Sequence, residues 1–205
     1  MKTHENPYII FSRECKFIAG AANIGAIPHT HLAEVAFVGR SNVGKSSLLN
    51  AIVNRNSLAR ISQNPGCTRQ INFFNLADAC HLVDLPGYGF ARTSKVEKEM
   101  WSQLIFDYLR GRPQLKRVFL LLDSRHKIKE SDISTMKFLD DCAVLYQIVL
   151  TKTDKISVTE LAERQKAIAE QAQKHGACHP IILVTSSKSK AGLNTLRDEI
   201  LALIN

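Results

Sequence analysis

The chain lacks any apolar stretch approaching the ~20 residues that a membrane-crossing helix needs. Its first residues, Met1-Lys2-Thr3-His4-Glu5-Asn6-Pro7, lack the apolar core of a secretory signal. Lys2 stands where myristoylation needs glycine, and Leu201-Ala202-Leu203-Ile204-Asn205 holds no cysteine for prenylation. The expectation is a soluble cytoplasmic protein with no membrane partner. Cysteine is sparse: Cys15, Cys67, Cys80, Cys142 and Cys178 are odd in number, scattered, and form no C-x-x-C pair. That excludes a disulfide framework and suits free thiols in a reducing compartment. His175, Cys178 and His179 lie close together, but a zinc site needs a second ligand pair that the sequence does not supply. There are no internal repeats, no low-complexity linker, and no RRM or KH signature.

What is present is ordinary for a globular chain. Its 205 residues are 45% apolar and 22% charged, enough for one compact domain with a proper core. The net charge of +8 favours anionic partners. Residues 1–33 read as a leader without clear periodicity, packing on a domain that spans 34–205. From there strand-like runs alternate with helical patterns. Strands are expected at Val35–Val38, Ile71–Leu76, Cys80–Val83, Val118–Leu122, up to Leu150, and at Ile181–Val184, which Pro180 opens. Helices are expected at Lys45–Val53, Val96–Leu109, Ser131–Asp141 with Ser131 as N-cap, Val158–Lys174 and Leu193–Ile204. The alternation predicts an α/β domain of three layers, a mostly parallel sheet with helices on both faces. Such folds bind ligands at the carboxyl ends of their strands.

Four loops at those ends carry the chemistry. Gly39-Arg40-Ser41-Asn42-Val43-Gly44-Lys45-Ser46 matches G-x-x-x-x-G-K-[ST], between a strand and a helix. Glycines let backbone N–H groups turn inward around phosphates, and the helix dipole adds to the attraction. Lys45 would reach the β- and γ-phosphates, and Ser46 would hold Mg²⁺. Asp84-Leu85-Pro86-Gly87 follows the expected strand Cys80–Val83 directly. Asp84 can hold Mg²⁺ through water, and the Gly87 N–H can approach the γ-phosphate. Alone that pattern also describes a Pro-Gly turn; after a P-loop it is far more specific. Thr151-Lys152-Thr153-Asp154 ends a later strand. The Asp154 carboxylate can accept both donors on guanine's edge, which adenine does not offer. Lys152 can lay its stem along the base. A helix-capping aspartate is the other reading of this motif taken alone. Val184-Thr185-Ser186-Ser187 supplies N–H groups for guanine O6, or an ordinary helix cap. Between the first two loops, Gly66-Cys67-Thr68-Arg69-Gln70 offers Thr68 as a second Mg²⁺ ligand, engaged only while a γ-phosphate is present. Taken together these loops point to GTP and GDP, with Lys45, Thr68 and Gly87 beside the reacting phosphate.

The combination resembles translation-factor-type P-loop GTPases of Ras-like fold, and more narrowly the EngB (YihA/YsxC) group of bacterial ribosome-assembly GTPases. The resemblance rests on the P-loop continued through Ser47, Pro65-Gly66-Cys67-Thr68 with Ile71-Asn72-Phe73-Phe74, Asp84-Leu85-Pro86-Gly87-Tyr88-Gly89-Phe90-Ala91, Asp123-Ser124-Arg125-His126 and Thr151–Asp154. It implies a monomeric GTPase that acts in maturation of the large ribosomal subunit, with rRNA and ribosomal proteins as partners. Loss of such proteins is associated with division and septation defects, so a division scaffold is an alternative. Two departures from the wider GTPase pattern stand out. Thr151 replaces the usual Asn, and its hydroxyl can still bond the P-loop. Tyr88 stands where Ras-like enzymes carry a water-orienting Gln, which implies slow intrinsic hydrolysis. Asn42 suggests one remedy, because related GTPases with Asn there use it to help coordinate K⁺; the alternative is a loop-shaping residue. A ribosomal activator is the other remedy.

Basic residues fall into three groups: Arg110, Arg112, Lys116 and Arg117; Arg125, His126, Lys127 and Lys129; and Lys188 with Lys190. The last two groups are expected on the nucleotide side and the first at the opposite end. They form either RNA-phosphate contacts or solvated faces. A small-molecule kinase would leave Thr151–Asp154 without a role, and a membrane-bound trafficking switch would need a lipidation signal.

Overall fold

The computed structural model describes residues 6–55, 58, 70–88 and 95–204, the backbone alone for 95–102. Its strands are β1 (Cys15–Ala21), β2 (Ala33–Gly39), β3 (Ile71–Leu76), β4 (Cys80–Asp84), β5 (Leu115–Asp123), β6 (Tyr146–Thr151) and β7 (Leu183–Val184). Its helices are α1 (Lys45–Ile52), α2 (Lys95–Gly111), α3 (Glu130–Asp141), α4 (Val158–Ala172) and α5 (Leu193–Ile204). The seven strands form one sheet in the order β1-β3-β4-β2-β5-β6-β7. β1, β3 and β4 pair antiparallel, and β4-β2-β5-β6-β7 pair parallel.

Successive residues of a strand face opposite sides, so each apolar run feeds two cores. Ala36, Val118, Leu120, Ile148 and Leu150 pack under α2, α3 and α4. Val35, Phe37, Phe119, Leu121 and Val149 pack under α1 and α5. Val118–Leu122 is buried throughout, as a strand covered on both faces requires.

The helix that follows the P-loop is fastened at its far end. Arg197 of α5 is buried and donates to the carbonyls of Ile52 (2.8 and 3.0 Å) and Ala51 (3.2 Å). A cation there meets the negative end of the α1 dipole and satisfies carbonyls that lack helical partners. The same guanidinium lies 5.4 Å over the ring of Phe11, and Tyr8 donates to Asp198 at 2.7 Å. The N-terminal segment is thereby tied to α5.

Three elements depart from the sequence expectation. The leader contains β1, whose exposure does not alternate and whose register slips between Phe17 and Ala19, so no period-2 signal marks it. The expected strand Ile181–Val184 shortens to Leu183–Val184. Cys178 bridges to Tyr146, and Pro180, without an N–H, interrupts the ladder beyond it. The N-cap of α3 is Lys129, with Ser131 inside the first turn. The Asp132 carboxylate accepts the Lys129 N–H at 2.9 Å, a favourable position for an anion on a helix dipole.

Candidate nucleotide site

The P-loop connects β2 to α1. Gly39 ends β2 where a Cβ would lie 2.9 Å from Val43 Cγ1 and 3.0 Å from the Leu121 carbonyl. Asn42 and Gly44 hold positive φ, +63° and +105°, which curls the loop before α1 begins. The Leu48 N–H makes the first helical bond, to Gly44 O at 2.8 Å. The N–H groups ahead of it lack helical acceptors and face the loop with the positive end of the dipole.

β4 delivers Asp84 beside that loop, in register with Phe37 of β2. The Asp84 carboxylate is buried and forms an ion pair with the Lys45 ammonium. Leu85 then bonds the Phe37 carbonyl at 2.9 Å, and the chain runs along the P-loop itself. Tyr88 N donates to Gly39 O, and Ser41 N donates to Tyr88 O, both at 3.3 Å. Gly87 lies so close that a Cβ would sit 3.0 Å from Gly39 O. The Tyr88 hydroxyl points away from this loop and donates to Asp132 Oδ1 at 2.9 Å. Burial, with Asp132 close by, pushes the phenol pKa up, so the hydroxyl keeps its proton.

The end of β6 ties the loops together. Thr151 Oγ1 donates to the Val43 carbonyl of the P-loop at 2.6 Å. Lys152 has φ +58°, which turns its stem over Gly44, and its ammonium donates to Asn42 O at 2.5 Å. That ammonium also pairs with Asp123 Oδ2 at 2.9 Å, while Arg125 forks both oxygens of Asp123 at 2.9 and 2.7 Å. Burial works to raise the Asp123 pKa, but bonds from Arg125 and Lys152 outweigh it and hold the carboxyl well below the usual range. Asp154 Oδ1 accepts the Ser186 hydroxyl at 2.6 Å, which lowers its pKa and keeps it an acceptor-only carboxylate. Thr153 bonds the Thr185 carbonyl through both its N–H and its hydroxyl.

These parts enclose an open cleft of about 690 Å³. Gly44, Ser46, Ser47, Thr151, Lys152, Asp154 and Ser187 line it together. Val43, Leu85, Pro86, Thr185 and Ser186 are buried behind as scaffold. Arg40, Ser41 and Asn42 instead border a smaller cavity of about 170 Å³, under Arg125–Lys129 and Asp132. Gln70 packs over Gly20 of β1 and does not reach the cleft lining. Gly66, Cys67, Thr68 and Arg69 lie outside the described residues. Sequence reasoning left out Asn54, Arg55 and Lys155, which line the cleft, and left Asp123 and Asp132 without a role. Asp123 ends β5, so the rule that ligands gather at strand carboxyl ends was the available signal.

A parallel sheet whose first crossover is a P-loop, followed by the Asp84–Gly87 loop and an aspartate beside the base-sized cleft, is the organisation of a P-loop GTPase. A family model described as 50S ribosome-binding GTPase matches residues 34–152. The chain is 49% identical over 199 residues to the Probable GTP-binding protein EngB of Rhodospirillum rubrum, covering 95% of this chain and 86% of that one. It is 51% identical over 199 residues to the protein of the same name from Caulobacter vibrioides, covering 95% and 85%. The crystal structure of a probable GTP-binding protein engB superposes with TM-score 0.67 at 23% identity, over 84% of this chain and 98% of that one. Era in complex with MgGDPNP and nucleotides 1506–1542 of 16S ribosomal RNA shares the fold, with TM-score 0.65 at 22% identity over 86% and 58%. The chain belongs to the EngB family of GTP-binding proteins and is a GTP-hydrolysing enzyme.

Proposed function

We propose that the protein is a Mg²⁺-dependent GTP/GDP switch that acts in assembly of the large ribosomal subunit. The carrying observation is that the Asp154 carboxylate and the P-loop residues Gly44, Ser46 and Ser47 line one cleft, with Lys45, paired to Asp84, between them in the chain. Residues 34–205 form the GTP-binding unit on which the leader packs. Asp154 accepts guanine N1–H and the 2-amino group. Lys45 exchanges its carboxylate partner for β- and γ-phosphate oxygens. A water oxygen bonds to the γ-phosphorus as the bond to the β–γ bridging oxygen breaks. That electron pair leaves on GDP, and the water proton leaves with phosphate. Lys45 and the N–H groups of the P-loop and Gly87 stabilise the charge that develops.

The residues fit a hard cation. Ser46 and Asp84 offer oxygen donors, and among the described residues no group of three His, Cys, Asp or Glu could hold a metal, so most of its other ligands would come from phosphate and water. Mg²⁺ held by Ser46, Thr68 and, through water, Asp84 would neutralise phosphate charge. A phenol at Tyr88 is no equivalent of the Gln that orients water, which supports slow intrinsic hydrolysis. K⁺ held with the help of Asn42, or a ribosomal activator, would supply the missing charge stabilisation. Among the described residues no helix is long and apolar enough to cross a membrane, and the proposed setting is a cytoplasmic monomer.

The ribosomal role is supported by the description of the matching family as 50S ribosome-binding, and the requirement for division and septation is proposed to follow from it. The test is co-sedimentation with ribosomal subunits in GTP-analogue, GDP and nucleotide-free states. Association with the large subunit in the GTP-analogue state alone is expected. Absent association in all three states would transfer the function to a protein-binding division scaffold, and equal association in all three would remove the nucleotide switch, either outcome leaving the GTPase intact.

A further inference from the structure

Tyr88 touches the nucleotide machinery with its main chain and α3 with its side chain. Its main-chain bonds to Gly39 and Ser41 are long, 3.3 Å each. Its hydroxyl bond to Asp132 is shorter, 2.9 Å, and is made to a carboxylate only 4% exposed. A charge-assisted bond to a desolvated acceptor is the stronger anchor. Asp132 uses its other oxygen to accept the Lys129 N–H at 2.9 Å. A continuous path therefore runs from the Ser41 N–H through Tyr88 and Asp132 to Lys129. Lys129 closes the exposed Arg125–Lys129 loop, whose other end is tied to the P-loop through Asp123 and Lys152.

In this arrangement two groups of the P-loop are already engaged. The Ser41 N–H is bonded to Tyr88 O, and Lys45 is bonded to Asp84. We propose that the Tyr88–Asp132 bond is a latch that holds the Asp84–Tyr88 loop down on the P-loop, favours GDP over GTP, and transmits its opening to the Arg125–Lys129 loop. Asp132 is a positioning residue: it acts through Tyr88 and touches no phosphate. The proposal rests on the switch reading above, and deepens it by naming what sets the balance between the two states.

Two variants test it without dismantling the fold. Tyr88→Phe removes one oxygen and leaves the α3 cap intact. Asp132→Asn keeps a side-chain carbonyl for the Lys129 N–H. Affinities for GDP and for a non-hydrolysable GTP analogue are measured on both variants, on the double variant and on the wild type. Hydrogen exchange is followed in each nucleotide state. Each single variant should shift the GTP-analogue to GDP affinity ratio toward GTP by about threefold to tenfold, the effect of one hydrogen bond. The double variant should add little to Tyr88→Phe, because Asp132→Asn exchanges a charge-assisted bond for a weaker amide one at the contact that Tyr88→Phe removes. The Arg125–Lys129 amides should exchange faster with GTP analogue than with GDP in the wild type, and this difference should vanish in Tyr88→Phe. An affinity ratio unchanged within about twofold in both variants, at unchanged unfolding temperature, would overturn the latch. Identical exchange throughout the wild type in GDP and GTP analogue would instead sink the switch reading itself.

Discussion

Each end of the sheet holds a carboxylate gripped by an arginine, and the two grips serve different ends. At the amino end Glu34 is fully buried and takes Arg112 at 2.6 and 3.0 Å and the Tyr108 hydroxyl at 3.0 Å. Arg112 also bonds the Pro28 carbonyl, so leader, α2 and β2 meet in one knot. Arg117 is likewise engaged, with Gln147 and Glu199. At the carboxyl end Asp123 takes Arg125, whose side chain is 43% exposed, and Lys152, which reaches the P-loop. Much of the basic group around residue 112 is therefore consumed internally, whereas Arg125, His126, Lys127, Lys129, Lys188 and Lys190 are exposed beside the nucleotide cleft. Formal charge counts both sets alike, yet in the first only Arg110 and Lys116 stay exposed, while the second is exposed throughout and more open to a partner's phosphates.

The largest effect should come from breaking the buried grip. Glu34→Ala leaves Arg112 without its counterion and should cost about 3–5 kcal/mol of stability in denaturant unfolding, with nucleotide affinity unchanged in the folded fraction. Burial raises the Glu34 pKa, but bonds from its cationic and phenolic neighbours lower it further, for a net lowering. Its stabilisation is thus present above the unfolded value of ~4.3 and is lost as pH falls through the folded value. The urea midpoint of the wild type should fall below about pH 4 more steeply than that of Glu34→Gln.

Next comes the base contact. Asp154→Asn presents an amide donor to two guanine donors and should weaken GTP binding by about a hundredfold or more. Xanthine nucleotides, with a carbonyl in place of the amino group, should gain. Unchanged GTP affinity would remove Asp154 from the base site. A smaller effect is expected at the exposed grip. Asp123→Asn frees Arg125 and leaves Lys152 with Asn42 O alone, so nucleotide affinity should drop about threefold to tenfold with stability nearly constant. An effect on stability as large as that at Glu34 would erase the contrast between the two ends. The smallest concerns the cation: GTP turnover should be severalfold faster in K⁺ than in Na⁺ at equal ionic strength. Equal rates would leave Asn42 as a loop-shaping residue.

The strands and the loops at their ends were readable because each is a local signal: an apolar run, then glycine, lysine or aspartate at fixed spacing. Even the Thr151 hydroxyl bond to the P-loop follows from residue type, and the bond is there at 2.6 Å. What escaped the sequence is pairing across distance. Tyr88 and Asp132 are 44 positions apart, and Arg112 and Glu34 are 78 apart, with nothing in either neighbourhood to mark the partner. β1 escaped for another reason. An edge strand with a register slip and mixed exposure carries no period, and only β3 beside it makes it a strand.

Arg197 has a consequence for how the nucleotide signal travels. With its cation seated on the carbonyl end of α1, that helix is pinned at the pole opposite the phosphate site. A helix clamped at one pole and charged by ligand at the other is a fixed post, not a lever. On the proposed switch reading, displacement on loss of the γ-phosphate would fall to the Asp84–Tyr88 segment, while α1 and α5 would stay as the stationary frame against which that movement is measured.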